Sequence, residues 1–332
     1  MRQARETADI GVIRREPYNR APMTSTHAVT PSSAASQASF HAADHLVARV
    51  AQVGAATCVG LDPVVERLPA ALRPADPNDA SACVSAIEAF SVGVIDAVHE
   101  SCAAVKIQAA CFERFGAAGY AAMARVLLHA RASGLAVVFD AKRGDIGISA
   151  EHYARGAHDL GAHWTTINAY LGADGIVPFL TQGQGAFALL RTSNPSSDAL
   201  QTLRLTDGRS VAEAVGDTIA SIGERCVGAS GFSALGAVVG ATKRAEIAAL
   251  RARMPRTIFL VPGYGAQGGT ADDVRAAFTR ENLGALITAS RSVIYPTATG
   301  LGSAASGDWR NAIRAAAVQF ASEIRAITGV SA

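Results

Sequence analysis

The stretch LAVVFDAKRGDIG (residues 135–147) begins as a run of apolar β-formers and ends in two aspartates, two cations and two glycines. A short apolar run bounded by turn residues reads as a strand buried on both faces, the pattern of a parallel sheet. A strand made only for packing has no use for Asp140, Lys142 and Asp145 at its end. Seven more runs repeat the first half of the pattern: ATCVGLD (56–62), AAVKIQ (103–108), HWTTINAY (163–170), FALLRTS (187–193), ALGAVVGA (234–241), TIFLVPG (257–263) and ALITAS (285–290). Alanine-rich amphipathic segments lie between and after them, at 81–100, 120–132, 210–226, 243–254 and 308–327. Eight strand signals alternating with helices in roughly 280 residues predict an α/β protein of the (β/α)8 TIM-barrel type over an open doubly wound sheet. No GxGxxG follows the first strand, which also speaks against a dinucleotide-binding sheet.

Residues 1–40 are rich in Arg, Ser, Thr, Ala and Pro and show no helical or strand period. They are read as a disordered extension, with Met23 as an alternative start and 41–332 as the barrel domain. Acidic residues at Glu6, Asp9 and Glu16 argue against a transit peptide. Hydrophobic residues make up 49% of the chain, enough for a sizeable core, and the net charge of +2 points away from a general nucleic-acid or membrane-surface binder. No apolar run in the sequence reaches the length of a membrane span. Five cysteines without CxxC spacing read as buried cytosolic thiols, not as disulfides or a zinc site. The histidines show no metal-binding spacing and read as structural.

In such a barrel the active site forms at the C-terminal ends of the strands. Asp62, Lys106, Asp140, Lys142, Ser193, the glycine-rich VPGYGAQGG (261–269) and Arg291 all fall there. Asp140 and Lys142 stand two apart, so regular alternation predicts that they share a face. With Lys106 and Asp145 they make an alternating Lys–Asp–Lys–Asp set. Burying four charges is costly unless they are well paired; a salt-bridge cluster closing the barrel top is the plain alternative to a functional site. Only Lys106, Lys142 and Lys243 among 30 basic residues are lysine. Two of them sit at strand ends, where a compact ammonium that can release a proton does what arginine cannot; Lys243 reads as a surface residue. The glycine loop after strand 7 and Arg291 after strand 8 stand where barrels frequently bind phosphate; a glycine turn and a surface arginine are the plain alternative. Taken alone, RTSNPSS (191–197) is a turn signal.

GLDP (60–63), VKIQ (105–108), DAKRGDIG (140–147), RTSNP (191–195), PGYGAQGG (262–269) and ASR (289–291) together resemble the orotidine 5′-phosphate decarboxylase family, specifically its longer bacterial branch, over about residues 45–325. The resemblance implies conversion of orotidine 5′-phosphate (OMP) to UMP and CO2 in pyrimidine biosynthesis, without metal or cofactor, by a cytoplasmic homodimer. It implies Lys142 as proton donor to C6 of the pyrimidine and Asp140 beside the scissile carboxylate. Asp62 and Lys106 would bind ribose hydroxyls, and Asp145 would enter the partner subunit's site. Ser193 would touch the pyrimidine. Gln267 and Arg291, with the loop backbone that opens at Pro262 and Gly263, would hold the phosphate. Ser149 stands where the branch often has threonine and keeps the hydroxyl. Magnesium-dependent sugar-phosphate lyases of the same superfamily share Asp-x-Lys-x-x-Asp but carry a glutamate where Lys106 stands. A catalytically silent nucleotide-binding barrel would be expected to lose Lys142 first. A Schiff-base aldolase would need that lysine's pKa depressed, which flanking carboxylates oppose.

Overall fold

Each strand's residues are buried toward the barrel interior on one side and toward the surrounding helices on the other, which is why they read as continuous apolar runs. In the computed structural model the described residues are 40–241, 244–265, 269–296 and 309–329; the expectations for residues 1–39, including Met23, and for Lys243 and Gln267 lie outside them. The strands are β1 (Thr57–Leu61), β2 (Ala104–Gln108), β3 (Ala136–Arg143), β4 (Trp164–Asn168), β5 (Gly185–Arg191), β6 (Ser233–Val239), β7 (Thr257–Pro262) and β8 (Ala285–Ala289). Each pairs in parallel with the next, and β8 returns to β1, so the sheet closes into an eight-stranded barrel. All eight expected strands are present, within a few residues of their expected ends.

Two apolar layers hold the barrel. The inner one includes Ala104, Val138, Trp164, Phe187, Leu260 and Leu286, with Trp164 stacked on Phe187 at 4.3 Å between ring centroids. Glycine makes room for these rings: a Cβ at Gly185 would stand 2.5 Å from the Trp164 ring, and one at Gly236 would stand 2.5 Å from Phe187. The outer layer lies between the strands and helices such as Ala80–Val98, Gly116–Ala132 and Trp309–Thr328. Ala80–Val98 is long and apolar enough to cross a membrane by length and composition, which the search for long apolar runs missed. In the fold Ile87, Phe90, Val94 and Ile95 on it are fully buried in the outer layer.

A helix outside the expected alternation, Ala42–Val53, closes the N-terminal end of the barrel. Ala42, Ala43 and Leu46 join the inner layer, and Asp44 accepts the backbone N–H groups of Ala229 and Ser230 just ahead of β6. Here His45 lies 4.5 Å from His163, ring to ring, and His163 Nδ1 accepts the Val137 N–H. His163 is therefore a structural acceptor, as expected.

Candidate active site

The polar residues gather at the opposite end of the barrel. Asp140 is 4% exposed, and its carboxylate receives four hydrogen bonds. Lys106 Nζ (2.5 Å) and Gln108 Nε2 (3.2 Å) donate to Oδ2; Lys142 Nζ (2.6 Å) and Thr166 Oγ1 (2.8 Å) donate to Oδ1. Asp62 stands 3.7 Å from Lys106 Nζ on the other side. The chain of alternating charge is thus Asp62, Lys106, Asp140, Lys142. Asp145, expected to complete the cluster, is not part of it within one chain: its Oδ1 accepts the Ile146 N–H instead.

Regular alternation along β3 is not what brings Lys142 to Asp140. The register to β4 shifts between Phe139↔Thr165 and Arg143↔Ile167, so β3 bulges by two residues there. Lys142 has φ of 47°, in the left-handed region that few non-glycine residues enter. Bulges re-aim side chains next to active sites, and this one turns the Lys142 ammonium back over Asp140.

Burial alone would push the Asp140 pKa up, but the charges and hydrogen bonds of Lys106 and Lys142 outweigh it and hold the carboxyl at about 2. Burial works to discharge Lys106, and Asp140 and Asp62 reverse that, so its pKa lies above the ordinary lysine value. Two ammoniums thus share one buried carboxylate. Lys106 is 7% exposed and locked in place, whereas 47% of the Lys142 side chain is open to the mouth.

That mouth is a cleft of about 680 Å³, the size of a small-molecule site. Of the expected residues, Asp62, Lys106, Asp140, Lys142, Ser193, Pro262, Gly263 and Arg291 line it. Leu189, Leu200, Val215, Val238 and Leu260 give it an apolar wall. Its charged cluster lies at the ends of β1–β3, and Arg291 follows β8, the strand that closes the barrel against β1, so a cation outside the cluster faces the same cleft. Asp145 lies outside the lining, and Gln267 lies outside the described residues.

The sequence reading passed over three residues. Gln108 follows Lys106 at the two-residue spacing of one strand face, a usable signal. Thr166 is a polar residue inside a buried strand and is 1% exposed. Arg191, 1% exposed at the end of β5, bonds Glu246 at 2.5 and 3.1 Å, Asp198 at 2.5 Å, Ser197 Oγ at 2.9 Å and Gln201 Oε1 at 3.1 Å. It ties the segment after Ser193 to the helix Arg244–Arg253. A lone arginine closing an apolar run was the available sign of a buried hub.

Comparison with known proteins shows the family of the chain. The profile described as Orotidine 5'-phosphate decarboxylase / HUMPS family matches residues 57–297. Among the most similar relatives, the orotidine 5'-phosphate decarboxylase of Rhodopirellula baltica is 37% identical over 298 residues, covering 85% of this chain and 98% of that one. That of Roseiflexus sp. is 42% identical over 245 residues, covering 72% and 83%. The solved Leishmania donovani OMP decarboxylase superposes with a TM-score of 0.69 at 34% identity, over 88% of this chain and all of that one (100%). The chain belongs to the orotidine 5'-phosphate decarboxylase / HUMPS family.

Proposed function

We propose that this protein converts OMP to UMP and CO2, with Lys142 as proton donor and no metal or cofactor. The observation that carries the reading is the buried Asp140 carboxylate shared by Lys106 and Lys142 at the rim of the cleft. Breaking the C6–carboxylate bond leaves its electron pair at C6, where no conjugated sink accepts it. Enzymes lower barriers of such slow reactions by about 23 kcal/mol or more. Without a cofactor, that stabilisation comes from charge fixed in advance. The Lys142 ammonium faces C6, stabilises the pair as it forms and then gives it a proton; the resulting amine regains its proton from water. Asp140 aims the ammonium, and its repulsion of the substrate carboxylate is relieved as CO2 leaves. Arg291, Gln267 and the loop from Pro262 and Gly263 take the phosphate, Ser193 takes the pyrimidine, and Asp62 with Lys106 takes the ribose. Phosphate binding remote from C6 then organises the site for the reacting end. The family name also covers sugar-phosphate enzymes. Against that reading, a divalent cation beside Asp140 would meet the Lys106 ammonium, which lies 2.5 Å from that carboxylate.

We further propose a homodimer in which Asp145 enters the partner's cleft. Supporting this, the segments beside Asp145 expose Ile148 (69%) and Tyr170 (81%), with Ile146, Leu171 and Val177 also open. The two segments adjoin, since a Cβ at Gly175 would stand 3.0 Å from the Asp145 carbonyl oxygen. Contiguous apolar patches of this kind mark interfaces. A place in the cytoplasm fits the five free thiols. The test is OMP turnover in EDTA, read as loss of ultraviolet absorbance. Wild-type protein should convert OMP to UMP and Lys142→Ala should not; binding without turnover by the wild type would sink the enzyme reading.

A further inference from the structure

Between the regular pairs Phe139↔Thr165 and Arg143↔Ile167, β3 contributes three residues and β4 contributes one. That one is Thr166. Its Oγ1 accepts the backbone N–H of Lys142 at 2.9 Å and donates to Asp140 Oδ1 at 2.8 Å. The same carboxylate oxygen receives Lys142 Nζ at 2.6 Å. The hydroxyl therefore closes a ring that runs from the Lys142 backbone through Thr166 and Asp140 to the Lys142 ammonium. Both its hydrogen and an accepting lone pair are committed within that ring.

The ring matters because the backbone it grips is strained. A left-handed lysine persists only where its surroundings hold it, and the β3–β4 ladder that would ordinarily hold it is interrupted there. The Thr166 hydroxyl takes the place of the missing ladder partner for the Lys142 N–H. We infer that Thr166 is a positioning residue for the proton donor: its hydroxyl fixes the backbone at Lys142 and so sets where the ammonium stands over the substrate. The inference rests on the decarboxylase reading above. It also says why a hydroxyl is needed: valine fills the same space but neither accepts the N–H nor donates to Asp140.

The experiment compares wild type, Thr166→Val, Thr166→Ala and Thr166→Ser for kcat and KM with OMP, with circular dichroism to check the fold. An ammonium misplaced by about 1 Å costs on the order of 10²-fold in rate. Thr166→Val and Thr166→Ala should lose kcat on that scale with KM nearly unchanged, and Thr166→Ser should restore most of it. Should valine prevent folding, alanine and serine carry the comparison. Full kcat in folded Thr166→Val or Thr166→Ala would overturn the inference, as would a loss confined to KM or a serine variant no better than alanine. Wild-type protein without turnover would overturn the decarboxylase reading, and this inference with it. Wild-type turnover with an undiminished Thr166→Val overturns the inference alone.

Discussion

Replacing Asp140 by asparagine removes the anion that two ammoniums share. Lys106 is left 7% exposed, and among the described residues its remaining ion pair is with Asp62 at 3.7 Å. The new amide also turns an NH2 group toward donors, because all four neighbours of the carboxylate donate to it. Removing one member of a buried pair costs about 3–5 kcal/mol. The acid titration gives a second measure: a carboxyl held at about 2 against the ordinary 3.8 corresponds to about 2.5 kcal/mol. That is the smaller figure because protonation leaves the side chain in place. Sign and window follow from the depressed pKa: this stability is present above pH 3.8 and is lost as pH falls through about 2. Urea unfolding of wild type and Asp140→Asn near neutral pH, analysed by linear extrapolation, gives the difference directly. A companion variant, Lys106→Met with Asp140→Leu, should recover most of the lost stability while remaining inactive, since apolar replacement of a buried pair is often neutral. Lys142→Ala should cost under about 1 kcal/mol, because an ammonium this exposed contributes little to stability, yet should abolish turnover. A loss below about 1 kcal/mol in Asp140→Asn would show that the buried carboxylate does not hold the two ammoniums as described.

The histidine at the barrel's other end gives a pH prediction. Burial, then His45 and Arg131, depress the His163 pKa to about 3, so the folded protein resists a proton that the unfolded chain takes up near 6.5. Stability is therefore complete above pH 6.5 and declines as pH falls toward 3; the first two pH units should cost about 2.7 kcal/mol, read from urea midpoints and flattened in His163→Asn. Arg191→Met should lose about 1–3 kcal/mol, raise KM and open residues 194–201 to proteolysis, because those contacts radiate from one guanidinium. Mixed after unfolding and refolding, inactive Lys142→Ala and Asp145→Asn should regain about a quarter of wild-type activity, since half the dimers are mixed and each has one intact site. No recovery would remove Asp145 from the partner's site.

The strands were legible because a buried parallel strand leaves a local signature, an apolar run followed by turn residues, as at 135–139 and 285–289. The strand-end rule puts Lys106 and Asp140 at the barrel mouth, as the structure does, because the β2–β3 register is unbroken there and Asp140 pairs with Gln108. Lys142 was found for an incomplete reason. Two-residue spacing predicted a shared face, but a bulge and a left-handed φ bring it there. Neither is written in residues 140–142; both depend on register against β4, which is a tertiary fact. Thr166 was illegible for the same cause, as its importance comes from facing the gap in that register. The helix Ala42–Val53 shows helical spacing at Leu46, Val50 and Val53, yet strand–helix alternation does not require a helix before β1. Asp145 stays outside its own chain's cluster because its carboxylate caps the Ile146 N–H, a local contact that the alternating charge pattern did not predict.

In the proposed reaction a fixed ammonium supplies the proton that replaces the leaving carboxylate at C6. The most direct measurement is the product formed from OMP in D2O containing EDTA, analysed by proton NMR. If Lys142 delivers the proton, UMP should carry one deuterium at C6, form in step with CO2 and be absent when Lys142 is alanine. Absence of UMP from the wild-type reaction, with activity appearing only on a sugar phosphate after magnesium is added, would contradict it.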